Sequence, residues 1–103
     1  MSEAHKKVEN LIKEKPVLIV GMTWCPHCAE AERTIGKVTK DAYEVDMDNE
    51  ADGDDIHQAA TEITGQKTFP YVWISGKFIG GADAVQKLQN DGKLKDLVDS
   101  AFR

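Results

Sequence analysis

The sequence is poor in cysteine and in long apolar runs. Its 103 residues include only two cysteines, too few for the disulfide framework that small secreted domains use in place of a large core. No apolar run approaches the roughly 18 residues that span a bilayer, and the amino-terminal segment has no continuous apolar stretch of the signal-peptide kind. We therefore expect a cytoplasmic protein whose cysteines stay reduced unless they take part in chemistry.

Basic residues are outnumbered by acidic ones. Thirteen lysines and arginines stand against eighteen aspartates and glutamates, which gives a net charge of -5. A nucleic acid backbone or an anionic membrane surface would repel such a chain on average, so neither is expected as a partner. The composition, 41% apolar and 30% charged, is that of an ordinary globular domain, and we expect a monomer.

The hydrophobic pattern changes its period several times along the chain. Apolar residues within 8–12 have the spacing of an amphipathic helix, and the apolar run 16–22 is typical of a strand buried on both faces. Residues 42–48 alternate as in a strand near a sheet edge, and residues 75–76 have the composition of a hairpin turn. The predicted order, αβαβαββαα, gives a single domain over residues 1–103: a four-stranded mixed sheet with helices on both faces.

The two cysteines lie three residues apart in the segment Cys25-Pro26-His27-Cys28. Proline is favoured in the first turn of a helix, so we expect a helix to begin near Pro26. This places Cys25 exposed at the helix N-terminus, where backbone amides favour a thiolate, and Cys28 on the inward face. His27 adds a donor or a positive charge beside the thiolate. Such a pair can attack a disulfide with one sulfur and resolve the mixed disulfide with the other.

Metal binding is the main rival use of a Cys-x-x-Cys pair. A structural zinc site needs four ligands, and the chain has no second Cys-x-x-Cys, so the others would have to come from His5, His27, His57 or carboxylates. The acidic stretch 41–55 suggests calcium, but Ala59 stands where the bidentate glutamate of a calcium loop is required. We therefore expect no metal, and a pair of inert core cysteines is the remaining alternative.

Three short motifs occur in order between residues 24 and 81 of the chain. They are residues 24–28, the Thr-Phe-Pro sequence 68–70 before a predicted strand, and the Gly-Gly pair 80–81 before a predicted helix. Together they resemble a dithiol glutaredoxin of the thioredoxin-fold superfamily. The resemblance implies an oxidoreductase that reduces protein disulfides or glutathione mixed disulfides, with Cys25 as nucleophile, Cys28 as resolving thiol and glutathione as reductant. The residues that it implies as modulators of the pair are Trp24, Pro26 and His27.

The resemblance also implies a glutathione site. Pro70 should be cis and lie against the cysteines, while the backbone of Phe69 pairs with the cysteine of glutathione. Backbone amides after the Gly-Gly pair would hold one carboxylate of glutathione. A basic residue near the Thr-x-Pro segment would hold the other carboxylate. The implied contacts are Gln66, Lys67, Phe69, Pro70, Gly81, Ala82 and Asp83.

Three departures from the family pattern predict weak binding of glutathione. Met22 stands where a lysine is usual, His27 replaces a common aromatic residue, and Asp83-Ala84 retains only half of a polar pair. Two alternatives therefore stay open. One is a thioredoxin-like disulfide reductase that does not depend on glutathione, and the other is an iron–sulfur or metal-binding module.

Overall fold

The computed structural model describes residues 3–103, and its elements follow the predicted order. The strands are β1 (Val17–Gly21), β2 (Tyr43–Asp46), β3 (Tyr71–Ile74) and β4 (Lys77–Gly80). The α-helices are α1 (Glu3–Glu14), α2 (Pro26–Gly36), α3 (Gly53–Thr64), α4 (Ala82–Asn90) and α5 (Leu94–Ala101), with a short 3-10 turn at Met47–Asn49. None of these helices is long and apolar enough to cross a membrane.

The four strands form one mixed sheet in the order β2-β1-β3-β4. β1 pairs with β2 in parallel and with β3 antiparallel, and β3 continues into β4 through a hairpin. All five residues of β1 are buried, as the continuous apolar run predicted. The hairpin turn is also confirmed, since Ser75 and Gly76 both have positive φ, 56° and 78°, as tight hairpin turns require.

Helices cover both faces of the sheet, which confirms the predicted layers. One face packs on α1 and α3, and its buried strand residues are Leu18, Val20, Val45, Tyr71 and Trp73. The other face packs on α2, α4 and α5, and its buried strand residues are Val17, Ile19, Val72 and Ile74. Because successive strand residues point to opposite faces, a strand covered on both sides must be apolar throughout.

The second strand is shorter than its sequence pattern indicated. It ends at Asp46, and Met47 lies buried in the 3-10 turn instead of in the strand. Tyr43 is 44% exposed, because it lies at the open edge of the sheet with the Lys15 ammonium 4.5 Å from its ring centroid. The prediction of an edge strand was right, but the alternation placed its last residues in the wrong element.

The sheet brings distant parts of the chain together at one end of its strands, and we call this end the site edge. Val20 near the end of β1 lies opposite Tyr71 at the start of β3, and Val72 lies opposite Gly80 at the end of β4. The segments before β3, after β1 and after β4 therefore meet at the site edge.

Candidate active site

Cys25 caps the N-terminus of α2. It has extended backbone angles, φ -85° and ψ 117°, and the helix begins at the next residue, Pro26, as predicted. The Cys25 Sγ accepts a hydrogen bond of 3.2 Å from the backbone N–H of Cys28. A helix N-terminus whose amide points at a sulfur favours negative charge on that sulfur.

Cys25 is buried, which corrects the prediction of an exposed thiol. Only 5% of the residue is accessible. To accept the amide of Cys28, the sulfur has to fold back over the first turn of α2, and this removes it from solvent. Its neighbour Trp24 is 66% exposed instead. A reacting disulfide therefore meets an exposed indole next to a sulfur that is itself buried.

Cys28 lies deeper and in a different electrostatic environment. It is fully buried on the inward face of α2, as predicted. Burial, together with hydrogen bonding to the Cys25 sulfur, raises the pKa of Cys28 to about 12, while a hydrogen bond from the Met22 backbone acts in the opposite direction. The two thiols are thus chemically unequal although they belong to the same helical turn.

The loop before β3 closes the site from the other side. The Phe69–Pro70 peptide bond is cis, as expected, and Pro70 is buried. The Phe69 ring meets the Trp24 ring edge to face, with the two centroids 5.7 Å apart. The exposed indole beside Cys25 therefore rests on the loop that contains the cis proline.

A groove of about 510 Å³ runs from the cysteine motif to the start of α4. Its lining residues are His27, Gln66, Thr68, Phe69, Pro70, Gly80, Gly81, Ala82, Asp83 and Ala84. The structure thus brings together all of the predicted glutathione contacts except Lys67, together with His27. Pro26 and Trp24 lie outside this lining, at the exposed start of α2.

Gln66 and Lys67 both take part in hydrogen bonds within the protein. The Gln66 Nε2 donates to the carbonyl oxygens of Thr68 and Pro70, at 2.5 and 3.0 Å, so this amide braces the loop. Lys67 is exposed, and its carbonyl oxygen is 3.0 Å from the His57 Nε2. The amide nitrogen of Gln66 is already engaged, which leaves less of this side chain available to a carboxylate.

Sequence reasoning missed His57 as part of this site. It lies on α3, where its ring centroid is 5.5 Å from that of Phe69 and 6.0 Å from that of Tyr71. It had been considered only as a possible metal ligand. No local pattern identifies it, because the contact between α3 and the loop exists only in the folded chain.

The turn before Cys25 is held by Asp48. The Thr23 backbone N–H donates to Asp48 Oδ1 at 3.0 Å, and the Thr23 hydroxyl donates to Oδ2. These hydrogen bonds hold the pKa of Asp48 below its usual value. Asp48, which belongs to the acidic stretch 41–55, thus ties the active-site turn to the segment after β2. Among residues 3–103, no three His, Cys, Asp or Glu side chains form a group that could hold a metal ion.

Comparisons with known proteins agree with this geometry. The family model described as glutaredoxin matches residues 17–79. Glutaredoxin-C2 of Arabidopsis thaliana is 35% identical over 98 residues, which cover 95% of this chain and 88% of the relative. Glutaredoxin-1 of Saccharomyces cerevisiae is 35% identical over 101 residues, covering 94% of this chain and 92% of the yeast protein.

A solved structure extends the likeness to three dimensions. The crystal structure of a buckwheat glutaredoxin–glutathione complex superposes with a TM-score of 0.91 at 33% identity, covering 95% of this chain and 89% of that one. Sequence, fold and the paired cysteines at a helix N-terminus lead to the same conclusion: the chain belongs to the glutaredoxin family of glutathione-dependent thiol–disulfide oxidoreductases.

Proposed function

We propose that this protein reduces protein disulfides and glutathionylated proteins, with Cys25 as the nucleophile and Cys28 as the resolving thiol. The observation that carries the proposal is the inequality of the two sulfurs. Cys25 accepts an amide hydrogen bond at the start of α2, whereas Cys28 is fully buried with a pKa raised to about 12 by burial. A thiolate is the nucleophile in disulfide exchange, so Cys25 is suited to attack first.

The proposed reaction has two exchange steps. The Cys25 thiolate attacks one sulfur of the substrate disulfide, and the other sulfur leaves with the electron pair and takes up a proton. For a protein disulfide, Cys28 then loses its proton and attacks Cys25, which forms the Cys25–Cys28 disulfide and releases the second substrate thiol. Two glutathione molecules restore the dithiol and leave as glutathione disulfide.

We place glutathione in the groove beside the cysteines. Support comes from the buckwheat relative, which was solved as a complex with glutathione, and from the backbone groups in this groove. Gly81 caps α4 without a side-chain hydrogen bond, so the amides of Ala82 and Asp83 stay available to a carboxylate. The backbone of Phe69 would pair with the cysteine of glutathione, and Lys67 would meet the second carboxylate from the rim.

The proposal includes a cytoplasmic location and a monomeric state. A cytoplasmic location suits a dithiol that must be reduced between turnovers, because glutathione keeps that compartment reducing. A monomer suits a site whose groove lies within one chain.

Two serine substitutions test the roles of the cysteines. Cys25→Ser should abolish reduction of both a protein disulfide and a small glutathionylated substrate. Cys28→Ser should abolish formation of the internal disulfide, yet keep turnover of the glutathionylated substrate, which needs only one thiol. Activity is measured by coupled glutathione reductase, and the internal disulfide by mass after alkylation.

Two results would contradict the proposal. Equal loss in both variants on the small substrate would overturn the assigned roles. Rapid reduction of the oxidised wild type by thioredoxin reductase, with none by glutathione, would favour the thioredoxin-like alternative.

A further inference from the structure

Gly21, the last residue of β1, lies directly against the sulfur of Cys28. A Cβ atom at position 21 would lie 2.7 Å from the Cys28 Sγ and 3.1 Å from the Cys28 Cβ. Non-bonded carbon atoms reach their optimum near 3.5 to 4.0 Å, so no side chain fits here without displacing Cys28. The Cys28 Cβ would have to give way by only a few tenths of an ångström, so the sulfur is the main obstacle.

Space, and not backbone conformation, makes glycine necessary at this position. Gly21 is not among the glycines with positive φ, which are Gly65, Gly76, Gly80 and Gly92. It pairs with Asp46 in the ladder between β1 and β2, a conformation open to any residue. The absent side chain is the property that matters.

Pro70 lies beside the same space. The Cβ of Pro70 lies 3.9 Å from the position that a Cβ on Gly21 would occupy. Gly21, with Pro70 beside it, thus borders the recess that holds the Cys28 sulfur, and Cys28 has no solvent access.

We infer that Gly21 is a positioning residue that holds the Cys28 sulfur in place for attack on Cys25, and so selects the two-thiol reaction on protein disulfides. The inference rests on the proposed function, in which Cys28 resolves the mixed disulfide. In that step the Cys28 sulfur forms a bond to Cys25 Sγ, and the bond from Cys25 to the substrate sulfur breaks. The electron pair and a proton go to the leaving thiol.

Reactions that use only Cys25 do not depend on this recess. When glutathione resolves the mixed disulfide, Cys28 makes no bond and its exact position has little effect. A shift of about 1 Å in a reacting group can reduce a rate by roughly a hundredfold. An added methyl group at position 21 should therefore lower the two-thiol rate much more than the one-thiol rate.

The experiment compares Gly21→Ala with the wild type on two substrates. One is a protein disulfide and the other a small glutathionylated compound, both with glutathione and glutathione reductase. We expect the ratio of the first kcat/KM to the second to fall roughly tenfold to a hundredfold in Gly21→Ala. The internal disulfide is also timed directly: one equivalent of oxidised glutathione is added, samples are quenched at intervals, and the mass of the protein is measured. Its formation should slow by a similar factor.

Gly36→Ala is the matched control. Gly36 lies at the end of α2, a Cβ there would meet no atom within 4 Å, and its φ is not positive. This variant should keep the wild-type ratio. An unchanged ratio in Gly21→Ala would overturn the inference, as would an equal change in Gly36→Ala. If Cys28→Ser also leaves the protein disulfide rate intact, the proposed function itself fails.

A second variant covers the case in which Gly21→Ala does not fold. Removing the sulfur should relieve the crowding, so Gly21→Ala with Cys28→Ala should fold and melt close to Cys28→Ala alone. The double variant should also turn over the glutathionylated substrate at the rate of Cys28→Ala alone. If the double variant remains unfolded, the added methyl clashes with something other than the Cys28 sulfur and the inference is wrong.

Discussion

At the scale of single residues, the site gives two identical side chains different chemistry within one helical turn. Cys25 lies where the helix N-terminus presents an unpaired amide, and its sulfur takes that hydrogen bond. Cys28 has turned inward against β1, away from solvent. Both residues are buried, but only the Cys25 sulfur accepts the amide hydrogen bond at the start of α2, so exposure alone does not separate the two.

The buried Cys28 thiol should make the stability of the reduced protein fall at high pH. Burial raises the pKa of Cys28 from 9.0 to about 12, so the unfolded chain releases this proton more readily than the folded chain. The stabilisation is complete below about pH 9 and is lost as the pH rises towards 12. The loss is at most about 1.4 kcal/mol per pH unit.

Urea unfolding of the reduced wild type and of Cys28→Ala, each at pH 8 and pH 10, would measure this effect. The alanine variant keeps every other titrating side chain, so its free energy of unfolding should decrease less between the two pH values. Parallel behaviour of the two proteins would show that Cys28 does not titrate differently on folding.

At the scale of elements, the sequence predicted the pieces better than it predicted their contacts. Periodicity is local, so the buried run of β1, the helix that begins at Pro26 and the hairpin at 75–76 could all be recognised. The Thr23–Asp48 and His57–Lys67 hydrogen bonds join different elements, and no local pattern encodes them.

The cis proline and the groove were expected only because the motifs resemble a known family. Spacing within the chain says nothing about which of the residues 66–70 would face the cysteines. Side-chain direction inside a loop also escapes prediction, as the inward turn of Cys25 and the braced amide of Gln66 demonstrate.

The packing of α3 on the 3-10 turn predicts an unusual effect of a glycine substitution. A Cβ on Gly53, the first residue of α3, would lie 2.0 Å from the carbonyl oxygen of Met47. Alanine normally stabilises a helix relative to glycine by about 1 kcal/mol, but here the backbone would have to move. Gly53→Ala should therefore destabilise the protein by about 1 to 3 kcal/mol in urea unfolding.

Gly36→Ala, at the end of α2, provides the uncrowded comparison for Gly53→Ala. Nothing crowds a Cβ at the end of α2, so this change should be neutral or stabilising by up to about 1 kcal/mol. Equal stability of the two alanine variants would mean that α3 can shift away from Met47 without loss.

At the scale of the whole molecule, charge opposes the binding of glutathione. The chain carries a net charge of -5, and within residues 3–103 Asp83 is the only aspartate, glutamate, lysine or arginine that lines the groove. Glutathione presents two carboxylates and one ammonium group. Backbone amides and exchange chemistry must therefore supply most of the recognition, to which the proposed function adds the Lys67 ammonium.

A lysine at position 22 should strengthen that recognition. Met22 is half-buried three residues before Cys25, and its side chain packs against the core on the α1 and α3 side of the sheet. A lysine can bury its aliphatic stem there while its ammonium group reaches water. An added charged hydrogen bond contributes about 1.5 to 3 kcal/mol when well made, and an exposed ion pair about 0.2 to 1 kcal/mol. Met22→Lys should therefore raise kcat/KM for glutathione by a few-fold to roughly a hundredfold at low salt.

Salt and a neutral variant separate charge from packing in this experiment. Screening shortens from about 10 Å at 0.1 M salt to about 3 Å at 1 M, so the advantage of Met22→Lys should shrink as salt is added. Met22→Gln introduces a polar side chain of similar length without the charge and should bring little gain. If Met22→Gln matches Met22→Lys, or if the gain survives 1 M salt unchanged, the improvement comes from altered packing beside Cys25. Charge would then not be what limits the use of glutathione by this protein.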